Sequence, residues 1–319
     1  MENFRLKVFR AVAENLNFRK AAEELYLTQP AVTLQIKALE EELGSQLLDR
    51  TGSRVALTPA GKVLLKYARR ITELTQEAES EIMALSGEQG GVLRLGASTT
   101  IAQYLLPRLL GEFRKEHPRV RLSIISGNTE QIVESLVEQK IGIGLIEGPP
   151  LRRDVHAEPF FEDELVLVVP ASHEWAEQGS IHPSQLADAP LLMRERGSGT
   201  RRVVEMALKK YGLKTKSLSL AMELDSTEAI ISSIEAGLGV GLISVSAIAK
   251  EVALGSVRVV AVSGLRILRE LCLVYPAGPE PNGAAGAFRR FALHCQPSLR
   301  DSLEASKAAR ASRRLKTSG

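Results

Sequence analysis

Two short runs rich in hydroxyl groups stand at the predicted starts of two helices. A helix start offers unpaired backbone N–H donors and partial positive charge, which together favour a small bound anion. The alternative is that each serine or threonine only caps its own helix. Two such starts in one chain favour a ligand site that takes groups from both. The residues are Ser98, Thr99 and Thr100 in the first run, and Ser198, Gly199 and Thr200 in the second.

Four further residues are candidates for the same ligand site. Gly127 and Asn128 end a neighbouring predicted strand, and Glu147 follows another. Arg194 stands just before the second hydroxyl run and would supply a full positive charge to an anion. Glu147 and Glu195 would instead accept a hydrogen bond from a protonated ligand group, or pair with Arg194 or with Arg196, which is the alternative source of positive charge. In two-lobed α/β folds, ligands bind at strand ends where the chain switches lobes.

No residue pattern in the sequence is typical of catalysis or metal binding. Ser198 lies in RGSGT, where Arg196 and Thr200 replace the two glycines of the G-x-S-x-G nucleophile motif. We therefore predict neither a catalytic site nor a bound metal or cofactor, which counts against an enzyme on this fold. The histidines also lack the spacing of paired metal ligands; they are His117, His156, His173, His182 and His294.

The segment from residue 17 to 43 predicts two helices joined by a short corner, which is typical of a helix-turn-helix. Asn17 and Thr28 are suited to cap the two helices. The buried stripe of the second helix is predicted to be Val32, Ile36, Leu39 and Leu43. The opposite face, near the helix N-terminus, is where a recognition helix meets base edges. That face carries Gln29, Pro30, Thr33, Leu34 and Lys37.

The next segment, residues 46–57, alternates between apolar and polar residues around a Thr51-Gly52 turn. This pattern predicts a two-stranded wing. Arg50 and Arg54 flank the turn, where they are well placed for DNA phosphates, and Arg19 adds a phosphate contact from the first motif helix. The helices and the wing together predict a mostly α winged helix-turn-helix that binds double-stranded DNA.

Residues 59–85 predict one long helix with an apolar seam. Thr58 caps this helix and Pro59 occupies its first position. Apolar residues recur at heptad spacing, whereas the rest of the helix is polar. A small wing domain is too short to bury such a stripe, so we predict a dimer; the alternative is packing on the same chain. The seam residues are Leu64, Tyr67, Ile71, Leu74 and Ala78.

From residue 92 strands and helices alternate, which implies a parallel sheet with right-handed crossovers. A strand at 164–170 is predicted to cross into a second lobe, and a strand at 270–275 returns to the first. We therefore predict an α/β domain of two lobes. The other predicted strands lie at 92–96, 119–126, 141–146, 191–193, 217–222 and 237–243. The predicted helices lie at 101–116, at 130–139 with Thr129 as its cap, and at 201–211, 227–236 and 283–293.

The composition is that of an ordinary globular chain. Its 319 residues suffice for two or more domains, 44% are hydrophobic, and the net charge is +3. Cys272 and Cys295 lie in apolar contexts and predict buried, reduced thiols of a cytoplasmic protein. We expect no membrane span and no signal peptide. The basic segment 297–319 predicts a disordered tail that either solubilises the chain or adds affinity for DNA.

The string AAEELYLTQPAVTLQIKALEEELGSQLLDR, followed by VALTPAG, resembles the DNA-binding domain of LysR-type transcriptional regulators almost position by position. Two positions depart from the family pattern: Leu34 replaces a polar or arginine side chain, and Arg19-Lys20 replaces a hydroxyl residue followed by a basic one. The two lobes resemble the type-2 periplasmic-binding-protein fold of the family's effector domain. GVLRLGASTTIAQYLLP and IGLIEGP look most like the subgroup that regulates sulfur assimilation and carbon fixation.

This resemblance implies a regulator that binds promoter DNA as a dimer within a homotetramer, with RNA polymerase as a candidate partner. The hydroxyl runs suit a small anionic effector: a sulfur oxyanion, an O-acetylserine-like compound, or a carboxylate or phosphate metabolite. The rival interpretation is a solute-binding protein of the same two-lobed fold, against which residues 1–88 argue. We expect the winged domain at 1–58, the linker helix and hinge at 59–88, and the effector domain at 89–296. Its lobe I comprises about 89–163 and 269–296, and its lobe II about 164–268.

Overall fold

The computed structural model describes residues 3–49, 55–85, 90–213 and 218–295; between 73 and 85, side chains are described only at positions 74, 75, 78 and 82. The chain divides into two compact units. The first comprises Met1–Gly91 with Glu138–Lys140, and the second comprises Val92–Val137 with Ile141–Gly319. Arg50, Arg54 and the tail from residue 297 lie outside the described residues.

The first unit is mostly helical, with a two-stranded antiparallel ribbon before its last helix. Leu48 pairs with Leu57 in this ribbon, and the Glu40 carboxylate accepts hydrogen bonds from the Leu47 and Leu48 amides at 2.9 and 3.2 Å. The second motif helix therefore holds the base of the wing. In chain order the elements are α1 (Phe4–Asn15), α2 (Phe18–Leu25), α3 (Gln29–Leu43), β1 (Leu48–Asp49), β2 (Ala56–Leu57) and α4 (Pro59–Leu85).

The caps of the helix-turn-helix are those that the sequence predicts. The Asn17 side chain accepts hydrogen bonds from the Arg19 and Lys20 amides at 2.9 and 3.1 Å, which confirms it as the cap of α2. The Thr28 hydroxyl accepts from the Ala31 amide at 3.4 Å at the start of α3. Both caps satisfy amides that have no partner within the helix.

The predicted stripe of α3 is correct for three of its four residues. Val32, Ile36 and Leu39 are buried in a core with Phe9 of α1 and Ala21 of α2. The prediction that Leu43 is buried is wrong, because Leu43 is 48% exposed. It lies in the last turn, where the chain leaves the helix through a glycine with a φ of +60° at position 44.

The second unit is an α/β fold with one mixed sheet. Its strands are β3 (Gly91–Ser98), β4 (Val120–Gly127), β5 (Ile143–Glu147), β6 (Val155–Pro170), β7 (Ser180–Ile181), β8 (Leu191–Arg194), β9 (Leu220–Leu224), β10 (Val240–Ser244), β11 (Val257–Val262) and β12 (Ile267–Pro276). Its α-helices are α5 (Thr99–Tyr104), α6 (Leu106–Glu116), α7 (Thr129–Val137), α8 (Glu174–Gln178), α9 (Gly199–Lys210), α10 (Thr227–Glu235), α11 (Ala249–Leu254) and α12 (Gly283–His294). A 3-10 turn spans Pro183–Ala187.

Two long antiparallel strands join the two lobes of this sheet. The strand order is β4-β3-β5-β12-β6-β10-β8-β9, and β11 pairs with β6 and β7. The long strand β6 pairs antiparallel with β12 from Val155 to Leu165 and with β10 from Leu165 to Val168. On either side the pairs are parallel, β3 with β5 and β8 with both β9 and β10. This arrangement confirms the two-lobed α/β fold with crossing strands.

Each lobe has its own hydrophobic core. Leu95, Phe113 and Phe288 are buried in lobe I, and Trp175 and Leu208 are buried in lobe II. The two cores lie on either side of the crossing strands, so the carboxyl ends of the parallel strands in each lobe meet at the junction between the lobes. Ligands of such folds bind at that junction.

Several predicted elements differ from the observed ones. The single helix expected at 101–116 is two helices that meet at Leu105, and Pro107 has no N–H for the carbonyl four residues earlier. The cap of α7 is Asn128 and not Thr129: the Asn128 side chain accepts from the Gln131 amide at 3.0 Å, and the Gln131 side chain accepts from the Asn128 amide at 2.8 Å. The elements α8, α11 and β11 were not predicted.

The two cysteines have different surroundings. Cys272 is buried on β12, as predicted, whereas Cys295 is only half-buried because it follows the last turn of α12. Burial raises the pKa of the Cys272 thiol to about 11. Within the described ranges, no helix is long and apolar enough to cross a membrane.

Candidate nucleic-acid interface and ligand site

The predicted reading face lies at the open N-terminal end of α3. Gln29, Pro30 and Lys37 are exposed, and Leu34 is 64% exposed. Thr33 is half-buried, and its hydroxyl donates to the Gln29 carbonyl at 3.0 Å. The Thr33 oxygen is therefore left with acceptor capacity only. Four of the five predicted residues are thus exposed to solvent on α3, and the fifth, Thr33, is half-buried.

Arg19 lies at the start of α2 and is exposed. Its Nε is 3.2 Å from the Glu23 carboxylate, in a pair that is largely exposed on both sides. A surface pair of this kind contributes little to stability, with a median of about 0–1 kcal/mol. A DNA phosphate can therefore replace Glu23 as the partner of Arg19 at small cost.

The linker helix α4 has one apolar face packed within the first unit and another that is open. Leu65 and Ala68 are buried, as is Thr72. The predicted seam lies on the other face, where Leu74 is 55% exposed and Ile71 is 42% exposed. Tyr67 is exposed as well, and Leu64 and Ala78 are half-buried. Ile82, which was not predicted, continues this apolar face and is also exposed.

In the second unit, the first hydroxyl run contacts the start of α10, a contact that the sequence analysis did not predict. The Thr100 and Thr227 hydroxyl oxygens lie 3.1 Å apart, so that α5 of lobe I contacts α10 of lobe II. The Thr99 hydroxyl donates to the Gly127 carbonyl at 3.1 Å. Tyr104, one turn further along α5, donates to the Glu228 carboxylate at 2.6 Å, and its burial raises the pKa of Tyr104 above the usual range.

Arg194 lies between these two helix starts. It is 3% exposed; its Nη1 donates to the Thr227 hydroxyl at 3.3 Å and its Nη2 to the Thr99 hydroxyl at 3.4 Å. The same guanidinium donates to the adjacent Glu195 carboxylate at 2.8 and 3.0 Å. Arg194 thus contacts both lobes, and Glu195 compensates its charge. Of the two carboxylates predicted as partners, Glu195 and not Glu147 pairs with Arg194.

The second hydroxyl run lies against a different set of groups. Ser198 caps α9 by accepting from the Arg201 amide at 3.4 Å. The Thr200 hydroxyl accepts from Arg269 Nη1 at 2.6 Å, and Arg269 also donates to Asp163 at 2.8 Å. In the described part of the chain, no hydrogen bond links the first run to the second.

Sequence reasoning missed Thr227, Arg269 and Asp163. The available signal was a charged residue inside an apolar strand pattern, as in ILRELCL for Arg269 and FFEDELV for Asp163. Such residues are seldom buried unless they are paired. Thr227 follows a predicted helix start, but its partner across the lobes depends on the order of strands in the sheet.

Gly199 fits a close approach between α9 and the end of β5. A Cβ atom at this position would stand 2.2 Å from the Glu147 carbonyl oxygen and 2.6 Å from the Thr129 hydroxyl. Only glycine allows this contact. Asn128 lies beside it, because its side-chain amide donates to the Arg196 carbonyl at 3.4 Å. The structure therefore brings the predicted residues Asn128, Glu147 and Gly199 together.

Three buried side-chain atoms at the junction have no hydrogen-bond partner among the described residues. They are Ser98 Oγ, Thr129 Oγ1 and Glu147 Oε1. Ser98 is the cap residue of α5, yet its side chain makes no capping hydrogen bond. Buried polar atoms without a partner are uncommon in folded proteins. Unsatisfied groups beside a buried guanidinium are suited to bind a polar ligand.

Two family models match the chain. The model described as "Bacterial regulatory helix-turn-helix protein, lysR family" matches residues 4–62, and the model described as "LysR substrate binding domain" matches residues 86–295. A RuBisCO operon transcriptional regulator of Acidithiobacillus ferrooxidans is 36% identical over 286 residues, which is 90% of this chain and 91% of that protein.

The chain is also similar to solved structures, among them a regulator bound to DNA and a regulatory domain bound to a small molecule. Full-length CbnR in complex with its target DNA is 25% identical, with a TM-score of 0.65, over 92% of this chain and 99% of that one. The regulatory domain of CcmR from Synechocystis PCC6803 in complex with 2-PG is 28% identical, with a TM-score of 0.59, over 64% of this chain and 97% of that one. The family models and this extent of similarity show that the chain belongs to the LysR family of transcriptional regulators, with a helix-turn-helix domain and a ligand-binding domain.

Proposed function

We propose that the chain regulates genes of carbon fixation in response to a small anionic metabolite bound between the lobes of its effector domain. The name of the Acidithiobacillus relative supports carbon fixation as the process. The subgroup that the sequence resembles also regulates sulfur assimilation. The names of these relatives refer to the RuBisCO operon and do not mention sulfur assimilation. On this proposal the regulator works in the cytoplasm.

The observation that carries the anionic effector is the position of Arg194. A buried guanidinium that donates to Thr99 of lobe I and to Thr227 of lobe II can donate equally well to an oxyanion between them. Thr100 and the unpartnered Ser98 hydroxyl lie on the same helix start. CcmR, whose regulatory domain binds 2-PG, makes a phosphorylated or carboxylate metabolite the first candidate. A sulfur oxyanion or an O-acetylserine-like compound is the second.

The DNA-binding part of the proposal rests on α3 and α4. The exposed face of Gln29, Thr33, Leu34 and Lys37 is proposed to contact base edges, and Arg19, Arg50 and Arg54 to contact phosphates. The open seam of α4 is proposed to pair with the same seam of a second copy. Two such dimers would form a tetramer, and RNA polymerase is the proposed partner at the promoter. The proposed segments are the winged domain at 1–58, the linker helix and hinge at 59–88, the effector domain at 89–296 and the tail at 297–319.

Titration calorimetry of the full chain tests the effector site. We use three probes: 2-PG, 3-phosphoglycerate and O-acetylserine. We expect at least one to bind, and Thr100→Val to weaken that binding about tenfold to a hundredfold, since one charge-assisted hydrogen bond is worth roughly 1.5–3 kcal/mol. Thr100→Ser keeps the hydroxyl and should bind like the wild type. Equal affinity in wild type and Thr100→Val would place the ligand elsewhere.

Chromatin immunoprecipitation in the source organism tests the target genes. We expect the chain to occupy promoter DNA of the RuBisCO operon. Occupancy confined to genes of another process would overturn the carbon-fixation part and would leave the effector site untouched.

A further inference from the structure

Glu147 is a buried acid whose Oε1 accepts no hydrogen bond from the described residues. It is 1% exposed, and its nearest cation, Arg269 Nη1, is 3.8 Å from Oε1. That nitrogen already donates to Thr200 at 2.6 Å. Arg269 Nε donates to Asp163 Oδ2 at 2.8 Å, and Nη2 lies 2.7 Å from the same oxygen as an ion pair. Arg269 therefore supplies charge near Glu147 without a hydrogen bond.

Asp163 shows what a satisfied carboxylate in the same cluster looks like. Its Oδ2 accepts from Arg269 Nε and forms an ion pair with Nη2, and its Oδ1 accepts from the Ser244 hydroxyl at 2.9 Å. Glu147 has the same charge and similar burial but lacks such donors. A buried carboxylate without hydrogen bonds costs free energy. Sequences keep unfavourable groups of this kind mainly where function requires them.

A second unsatisfied group lies beside Glu147. The point where a Cβ of Gly199 would stand is 2.6 Å from Thr129 Oγ1 and 3.0 Å from Glu147 Cβ, so the two side chains flank the start of α9 together. Thr129 Oγ1 is buried and has no hydrogen-bond partner among the described residues. The other cation near Glu147 is Arg202, which donates to the Pro149 carbonyl at 2.6 Å. A carboxylate oxygen and a hydroxyl, on two side chains that flank the start of α9, thus lack a hydrogen-bond partner among the described residues.

A plain oxyanion does not satisfy this arrangement. A carboxylate acceptor attracts a hydrogen-bond donor and repels negative charge. The anion-binding groups Arg194, Thr99 and Thr100 belong to the α5 and α10 side of the junction, whereas Glu147 and Thr129 belong to the α7 and α9 side. The two sides are therefore suited to bind different chemical groups of one ligand.

We propose that Glu147 accepts a hydrogen bond from a hydroxyl or ammonium group of the effector, with Thr129 as a second contact. The effector class is then a small anion that also carries a donor, such as a hydroxylated phosphate ester or an amino acid derivative. Simple sulfur oxyanions fall outside it. This inference rests on the anion site proposed above, since the anionic part of the same molecule is held by Arg194.

Two compounds that differ by one hydroxyl test the inference: 3-phosphoglycerate and its analogue 3-(phosphonooxy)propanoate, which lacks the hydroxyl. In calorimetry with the full chain, we expect the hydroxylated compound to bind about tenfold to a hundredfold more tightly, as a charge-assisted bond provides. In Glu147→Gln this preference should fall to about threefold, because a neutral acceptor makes a weaker bond. Equal binding of both compounds to the wild type, or an undiminished preference in Glu147→Gln, would overturn the role of Glu147 and leave the anion site standing. Failure of both compounds to bind would overturn the role of Glu147, and failure of 2-PG and O-acetylserine as well would overturn the anion site.

Thermal unfolding provides a second readout that a structural role would move. We expect Glu147→Gln to unfold at nearly the wild-type temperature, because no hydrogen bond to Oε1 is lost. Asp163→Asn is the matched control within the same cluster and should unfold several degrees lower, as bonds to Arg269 and Ser244 are weakened. A loss in Glu147→Gln as large as that in Asp163→Asn would make Glu147 a structural residue and overturn the inference.

Discussion

The hydroxyl oxygens of Thr100 and Thr227 lie 3.1 Å apart across the junction of two lobes, although 127 residues separate them in the chain. Arg194 donates to one of these hydroxyls and to the neighbouring Thr99. The contact that closes the junction therefore uses the same groups that are proposed to bind the effector. An oxyanion that enters here must replace these bonds, so ligand binding and lobe geometry are coupled through shared atoms.

The seam of α4 should control dimerisation. We expect Ile71→Glu and Leu74→Glu each to break the dimer, because like charges would face each other across the seam at a desolvation cost of several kcal/mol. Sedimentation at micromolar concentration measures the outcome. Lys62→Glu is the control, since nine residues from Ile71 at about 100° per residue place it on the opposite side of the helix. A dimer that survives both seam substitutions would rule out this seam.

Base contacts and phosphate contacts should respond differently to substitution. We expect Gln29→Ala to lower discrimination between specific and random duplex DNA by roughly 1–3 kcal/mol. Arg50→Ala should weaken binding to all sequences about equally and reduce its salt dependence. Fluorescence anisotropy at several salt concentrations measures both effects. If Gln29→Ala weakened binding to specific and random DNA to the same extent, Gln29 would not belong to the reading face.

Thr200 should contribute to stability as well as to any ligand contact. Its hydroxyl accepts from the buried Arg269 guanidinium at 2.6 Å, so Thr200→Val leaves one buried donor without a partner. Such a loss costs about 1–3 kcal/mol. We expect urea unfolding of the effector domain to show this loss, with Thr200→Ser close to the wild type. Unchanged stability in Thr200→Val would show that Arg269 finds another acceptor.

Cys272 should resist thiol reagents in the folded chain. Burial raises the pKa of its thiol to about 11, so the neutral thiol and not the reactive thiolate is present at pH 7–9. Cys295 is half-buried and should react first. Labelling with a chromogenic disulfide at pH 8 should therefore modify Cys295 rapidly and Cys272 only after unfolding in urea. Equal rates in the folded chain would contradict the buried position of Cys272.

The sequence predicted the elements whose signals are local. Asn17 and Thr28 set the starts of α2 and α3 through short-range hydrogen bonds, and both were recognised. The break between α5 and α6 was missed because Pro107 is tolerated in the first turn of a helix and the same pattern fits one kinked helix. The early start of β6 was missed because residues 155–163 are mostly polar or aromatic and lack an apolar run.

The candidate site was predicted in part, for a similar reason. Nearly all the residues named from their types lie at the junction of the lobes, since strand ends and helix starts meet there in this fold. Their partners were not predictable, because the pairing of Thr100 with Thr227 and of Thr200 with Arg269 follows from the strand order of the sheet. No local sequence pattern shows whether the start of α5 pairs with the start of α9 or with the start of α10.

We propose that a small anion held by Arg194, Thr99 and Thr100 changes how the chain binds DNA. Nuclease footprinting of the full chain tests it most directly, on a duplex selected by the chain from random DNA, with and without 2-PG, 3-phosphoglycerate or O-acetylserine. We predict that at least one of these compounds alters the protected region, and that Thr100→Val requires about tenfold more of it for the same change. Identical protection with and without all three compounds at millimolar concentration would show that none of these anions changes how the chain binds DNA, contrary to this proposal.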